Sequence, residues 1–243
     1  MTQQPSYSPQ GGDDKDAFYQ EILEGLATYF DSPFLADLLR TVELYPEPYL
    51  AHALGKNQLA SKKWLLDEVL RAVGPRLGTV YVLGGWKGVL GALLLSDRRF
   101  QVDRVLSFDI DPDCEAAADT MNASHVPAGR FKALTADMYT MDYGRGVFAG
   151  RDAEGGSLEI EAEPDLVVNT SCEHLDRFGQ WYERIPAGTL LALQSNDNFA
   201  VDVHVNCVED LEAFKRQAPM REVLFAGELP RKRYTRFMLI GRK

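Results

Sequence analysis

Two groups of residues in this 243-residue chain have the types and spacing to do chemistry. The first is the turn Gly84-Gly85-Trp86-Lys87-Gly88 with the acidic stretch Asp109-Ile110-Asp111 downstream of it. Glycines let the backbone turn tightly and come close to a ligand. Carboxylates accept hydrogen bonds from paired hydroxyls. A glycine turn after one strand and an acid after the next is an arrangement for a nucleoside, with backbone under one end and ribose hydroxyls on the acid. The turn is not Gly-x-Gly-x-x-Gly, so for the glycines alone a βα turn without a ligand stays open. The second group is Glu173-His174 with His204, in a chain of four histidines. A carboxylate and two imidazoles can move a proton near neutral pH, hold a first-row metal, or satisfy backbone groups at a helix start.

These residues need elements to position them. Val80 to Leu83 is an apolar, partly β-branched run, the mark of a buried parallel strand, and it leads into the glycine turn. Gly88, Gly91 and Ala92 are small at helical spacing, so the next helix can lie close to the sheet. Val105 to Phe108 is a second buried strand, and Pro112 opens a helix through Asn122. Phe131 to Thr135 is a third strand, with Asp137 and Met138 beyond its end. The polar, glycine-rich segment Gly144 to Pro164 reads as an inserted hairpin or loop. Asp165 to Asn169 is the fourth strand, and Thr170 to His174 its polar rim. Asp176 is placed as the cap of a helix through Arg184, Thr189 to Gln194 as the fifth strand, and Glu209 to Gln217 as a helix. Arg221 to Phe225 and Tyr234 to Ile240 close the chain as a strand pair. The β-α alternation predicts an α/β fold with a mostly parallel sheet.

The first third is helical. Residues 1–14 read as a disordered tail, rich in Gln, Pro, Ser and Gly. Residues 15–74 form a helical layer that either packs on the sheet edge or acts as a lid, with Tyr45, Tyr49, Lys56, Asn57, Gln58 and Lys62 as the lid's contacts. Tyr45 to Tyr49 reads as a stiff non-helical connection, and His52 to Ser61 as a loop or broken helix. Residues 75–243 are the nucleoside-binding domain.

Composition narrows the partners. A net charge of −10 makes long nucleic acid a poor partner, because phosphates repel an acidic surface. Cys114, Cys172 and Cys207 are too few and too scattered for a disulfide framework, which points to a reducing compartment. No apolar run is long enough to span a membrane. The expectation is a soluble cytoplasmic protein with a small-molecule substrate, for which a homodimer is an allowed assembly.

From Val80 to Lys243 the order of residues resembles the class I S-adenosylmethionine-dependent methyltransferases. The carriers are the glycine turn, Phe108-Asp109-Ile110-Asp111-Pro112, Ala136-Asp137-Met138, Asp165 to Asn169, Glu173-His174-Leu175 and Pro186-Ala187-Gly188. The resemblance implies a Rossmann-like three-layer sandwich with a seven-stranded sheet whose last strand is antiparallel. It implies S-adenosyl-L-methionine as cofactor, with Gly84, Gly85 and Gly88 under its methionine part. Asp109 is implied at the ribose hydroxyls, with Asp111 as the competing choice and Ile110 between them. Asp137 and Met138 would sit at the adenine, and Asn169 and Thr170 would face the transferred methyl. The family usually carries an acid at the end of the first strand, where this chain has Val82 or Leu83. Trp86 and Lys87 are unusual in the loop and would contact the cofactor carboxylate or obstruct it.

The implied function is methyl transfer to an oxygen or nitrogen of a small molecule. Aminocarboxypropyl transfer from the same cofactor and a non-catalytic cofactor-binding role stand as alternatives. Glu173, His174 and His204 are the acid/base candidates. Glu173-His174 also resembles the Glu-His pair that ligates metal in small-RNA 2′-O-methyltransferases, but Thr170 replaces their preceding acid, and no metal is assigned. Cys172 and Cys207 read as packing residues.

Overall fold

The structure, a computed structural model, describes residues 12–46, 48–152 and 155–243. Four helices precede the sheet: α1 (Gly12–Phe30), α2 (Pro33–Leu44), α3 (Pro48–Ala53) and α4 (Lys56–Ala72). The alternating part then runs β1 (Arg76–Leu83), α5 (Val89–Ser96), β2 (Gln101–Asp109), α6 (Asp113–Met121), β3 (Phe131–Thr135), β4 (Gly146–Arg151), β5 (Ser157–Ala162) and β6 (Leu166–Asn169). It ends with α7 (Phe178–Arg184), β7 (Leu190–Asn196), α8 (Leu211–Gln217), β8 (Glu222–Pro230) and β9 (Thr235–Arg242).

Seven strands form one sheet in the order β3-β2-β1-β6-β7-β9-β8. β9 runs antiparallel to both of its neighbours, and the β1, β2, β3, β6 and β7 pairings are parallel. Alternation along β1 builds the three layers. Tyr81 and Leu83 face a cluster with Phe178, Trp181 and Phe214 of α7 and α8. Val80 and Val82 face the opposite cluster with Leu65, Val69, Leu90 and Leu94 of α4 and α5. β4 and β5 pair as a separate antiparallel hairpin, and its Phe148 packs 5.7 Å from the Tyr81 ring and 4.9 Å from the Phe108 ring.

The helical layer is bound to the sheet domain by packing. Leu38, Leu50 and Ala53 form one cluster with Val89, Ala92 and Met121, and Trp86 packs against it. The buried Asp37 carboxylate accepts from the Ser124 N–H at 2.9 Å. Ser32 caps α2 through the Leu35 N–H, with Pro33 in its first turn, as the Asp-Ser-Pro sequence predicts.

Several boundaries differ from the sequence reading. Residues 12–14, read as tail, are the start of α1, while residues 1–11 lie outside the described residues. Pro48 starts α3, because proline's fixed φ suits a first helical turn as well as a stiff connection; Glu47 and the Tyr49 side chain lie outside the description. The segment from His52 to Ser61 is the broken-helix alternative, interrupted at Leu54 and Gly55. Asp176 does not cap α7: Arg177 holds the cap position without a side-chain bond, and Asp176 accepts from the Tyr139 hydroxyl at 3.1 Å. A 3-10 turn, Cys172–His174, precedes α7 and ends two residues before Asp176.

Candidate functional site

Strand register brings the functional segments to one rim. Leu83 pairs with Phe108 on one side and Asn169 on the other, and Asp109 pairs with Thr135. The ends of β1, β2, β3 and β6 are therefore level. β7 continues beyond Leu193, the partner of Asn169, as far as Asn196, which pairs with Arg236 of β9. That overhang makes a wall beside the rim.

The glycine turn sits at the β1 end. Gly84 has φ +62 and open space where a side chain would be, so its backbone faces the rim unobstructed. Gly85 is pressed onto β2, and a Cβ there would lie 1.9 Å from Ser107 Oγ. Trp86 also has a positive φ, and its N–H donates to Asp109 Oδ2 at 2.8 Å. The Asp111 N–H donates to Asp109 Oδ1 at 3.1 Å. Asp109 thus braces the loop and keeps further lone pairs for a ligand, since a carboxylate has about four acceptor sites. Asp111 is exposed and accepts from the Asp113 N–H at the start of α6. Ile110, between the two acids, is 70% exposed on the rim. Lys87 is buried, and so are Val82 and Leu83.

Asp137 and Met138 follow β3. Asp137 Oδ1 accepts from the Tyr139 N–H at 2.8 Å, and Met138 Sδ lies 3.9 Å from the buried Asn169 amide. Asp137 borders a shallow cleft with Tyr139, Arg177 and Arg184.

A larger concavity among the described residues lies at the glycine turn and the polar rim. It has a volume of about 790 Å³ and is bordered by Trp86, Thr170, Glu173, His174, His204 and the α3–α4 turn with Lys56, Asn57 and Gln58. Glu173, only 2% exposed, accepts at Oε1 from Asn196 Nδ2 at 2.5 Å and pairs with Arg236 Nη2 at 3.4 Å. Its Oε2 is buried with no hydrogen-bond partner among the described residues. His174 Nδ1 lies 3.0 Å from the Val203 carbonyl oxygen, and His204 Nδ1 lies 3.1 Å from that of Asn198. The two rings meet edge to face at 4.7 Å. A carbonyl only accepts, so each Nδ1 carries a proton, and in the neutral form of either ring the lone pair is on Nε2. Burial holds the His204 pKa below its ordinary value, with His174 adding to this and Glu173 opposing it.

The rim thus gathers Gly84 to Gly88, Asp109 and Asn169, and the cavity gathers Thr170, Glu173, His174 and His204. Asp111, two residues beyond Asp109, is bonded to it through its N–H and to the start of α6 through its carboxylate. Sequence reasoning assigned no chemical role to Arg236, Tyr234 or His52, yet all three border the cavity. Arg236 had a readable signal: it is a cation beside the apolar run Phe237 to Ile240 of β9. Cys172 is fully buried, and burial raises its thiol pKa far above the ordinary value. Cys207 is raised by burial too, so neither supplies a ready thiolate.

Lys62 of α4 lies close enough to Arg236 to feel its charge. Burial, then that charge, pulls its pKa from 10.5 to about 8. The sign is fixed by linkage: between these values the unfolded chain holds a proton that the folded chain has released, so stability rises with pH there. Below them the folded state carries the cost of a partly desolvated ammonium, offset in part by its bond to Gln58 Oε1. Lys62→Met is therefore expected to raise Tm at pH 7, with the gain shrinking as pH passes 8 toward 10.5. Thermal melts of both proteins across that range test it.

No protein-family model and no curated protein matches the chain. Solved structures do. N-methyltransferase NodS from Bradyrhizobium japonicum WM9 superposes with a TM-score of 0.54 at 11% identity, covering 79% of this chain and 98% of its own. The [4+2]-cyclase SpnF superposes at 0.54 with 12% identity, covering 76% of this chain and 82% of its own. MtNAS, solved in complex with S-adenosylmethionine, superposes at 0.50 with 14% identity, covering 91% and 77%. The chain has the fold of the class I S-adenosylmethionine-dependent methyltransferases, the fold that the residue order resembled. At these identities the likeness is one of fold, and a fold hosts many activities. Among the described residues, no helix is long and apolar enough to cross a membrane.

Proposed function

We propose that this protein is an S-adenosylmethionine-dependent methyltransferase that acts on an oxygen or nitrogen of a small molecule. The observation that carries the reading is where the cavity meets the rim. It is bordered by Trp86 of the glycine turn and by Thr170 beyond β6, so an acceptor inside faces whatever lies over that turn.

The residues present fit the cofactor. The open backbone at Gly84 suits its methionine part, Asp109 has acceptor capacity left for ribose hydroxyls, and exposed Ile110 offers an apolar contact to adenine. Asp137 and Met138 would border the adenine side, and Asn169 and Thr170 the reacting end. With Val82 and Leu83 buried, no first-strand acid is available for the amino group. When bound, the cofactor supplies an electrophilic methyl on a sulfonium. The chain's part is to align the acceptor, exclude water and take a proton. His174 and His204, with Nδ1 bound to backbone carbonyls, would use Nε2 of the neutral ring for that last task. Glu173, fixed by Asn196 and Arg236, sets a negative charge beside them. The chain's acidity favours a small acceptor over nucleic acid, and a cavity of about 790 Å³ has room for one.

The test is product analysis after incubation with the cofactor and panels of phenols, alcohols and amines. S-adenosylhomocysteine with a methylated acceptor is the expected outcome. Methylthioadenosine would instead mark aminocarboxypropyl transfer and overturn the methyl-transfer reading.

A further inference from the structure

The geometry points to a divalent-metal site formed by Glu173, His174 and His204 on the cavity wall. One ligand atom from each of the three lies within 4.8 Å of the others. Around a tetrahedral ion with bonds of about 2.1 Å the ligand atoms stand about 3.4 Å apart, so the set closes on an ion once the side chains draw in by up to about 1.4 Å.

Three independent features distinguish it from a chance cluster. First, the Glu173 carboxylate is divided: Oε1 takes both Asn196 and Arg236, while Oε2 is buried without a partner. An unpaired carboxylate oxygen in the interior is costly unless a cation or donor arrives. Second, both imidazoles are held by Nδ1–H bonds to backbone carbonyls, which orient the rings and leave Nε2 free, the way protein metal sites fix their histidines. Third, the two ligand-bearing segments are latched together. The Asn206 N–H donates to the Glu173 carbonyl and Asn206 Nδ2 to the Cys172 carbonyl, both at 2.9 Å. The loop carrying His204 is thereby fixed to the turn carrying Glu173 and His174 before any ion binds.

Arg236 is the cation that opposes this site, yet it contacts only the oxygen turned away from the free position. It orients the carboxylate and offsets its charge. One carboxylate and two imidazoles suit a borderline first-row ion such as Zn²⁺, Fe²⁺ or Co²⁺, with remaining positions open to the cavity. An acceptor hydroxyl or amine bound there would lose its proton more readily, in place of direct transfer to imidazole. Ion binding itself does not depend on methyl transfer.

The experiment is titration of the chelator-treated, full-length protein with CoCl₂, followed by visible absorption, and with ZnCl₂, followed by calorimetry. His174→Gln and His204→Gln are the variants, because neither side chain is fully buried. Glu173→Gln is added if it folds. One equivalent of ion is expected, with a Co²⁺ ligand-field spectrum of low coordination number. Partners that merely orient a ligand are worth about 10–100-fold in affinity, so each histidine variant is expected to lose more than tenfold. S-adenosylmethionine titrations of the same variants are expected to match the native protein. That separates failure of this site from failure of the methyltransferase reading. No stoichiometric uptake, or uptake undiminished in both histidine variants, would overturn the proposal.

Discussion

Glu173→Ala is expected to lower stability by about 3–5 kcal/mol, the cost of breaking a buried ion pair from one side. In a chain of this size each kcal/mol is worth about 2–4 °C, so Tm falls by about 10 °C. The reason lies in what remains. The Arg236 side chain is 7% exposed and the Glu173 side chain 3%. Without the carboxylate, the guanidinium keeps only the Thr170 carbonyl, which its Nη1 contacts at 3.0 Å, and Asn196 Nδ2 loses its acceptor. Replacing both charges, as in Glu173→Leu with Arg236→Met, is expected to recover most of the loss, since a buried pair contributes little net stability over apolar residues of similar volume. Thermal and urea melts of the single and double variants, made without added metal, check this. A single variant as stable as the native protein would mean that Glu173 and Arg236 are not paired in solution.

Asp109→Ala is expected to weaken S-adenosylmethionine binding by at least about 100-fold. Each hydrogen bond to a charged group contributes about 1.5–3 kcal/mol, and a ribose offers two hydroxyls. A second effect adds to this, because Asp109 also accepts from the Trp86 and Asp111 N–H groups. Its removal frees the glycine turn as well as the ribose. Asp111→Ala separates the two acids. Asp111 accepts from the Asp113 N–H at the start of α6, so its loss is expected to change Tm modestly and affinity little. Calorimetry on the two variants decides which acid faces the nucleoside.

The sheet was legible in the sequence because each buried parallel strand is a short apolar run between turn residues. Val80 to Leu83, Val105 to Phe108 and Phe131 to Thr135 all lie within strands of the sheet. The rim was legible for a related reason: strand ends are where polar residues interrupt those runs. Caps were less legible. Asp176 has the residue type of a cap, but Arg177 holds the cap position, and the carboxylate goes to Tyr139. The partner of Glu173 was not legible, because its pairing with Arg236 depends on β9 entering between β7 and β8. That pairing joins residues 63 positions apart and leaves no local trace. The roles of Asp109 and Asp111 likewise needed the direction of each carboxylate, which spacing alone does not encode.

If the ends of β1, β2 and β3 hold a nucleoside cofactor, calorimetric titration of the unmodified protein with S-adenosylmethionine, and separately with S-adenosylhomocysteine, will show saturable binding of both at a single site. Absence of binding by either would contradict this and leave an α/β fold whose acidic rim serves another purpose.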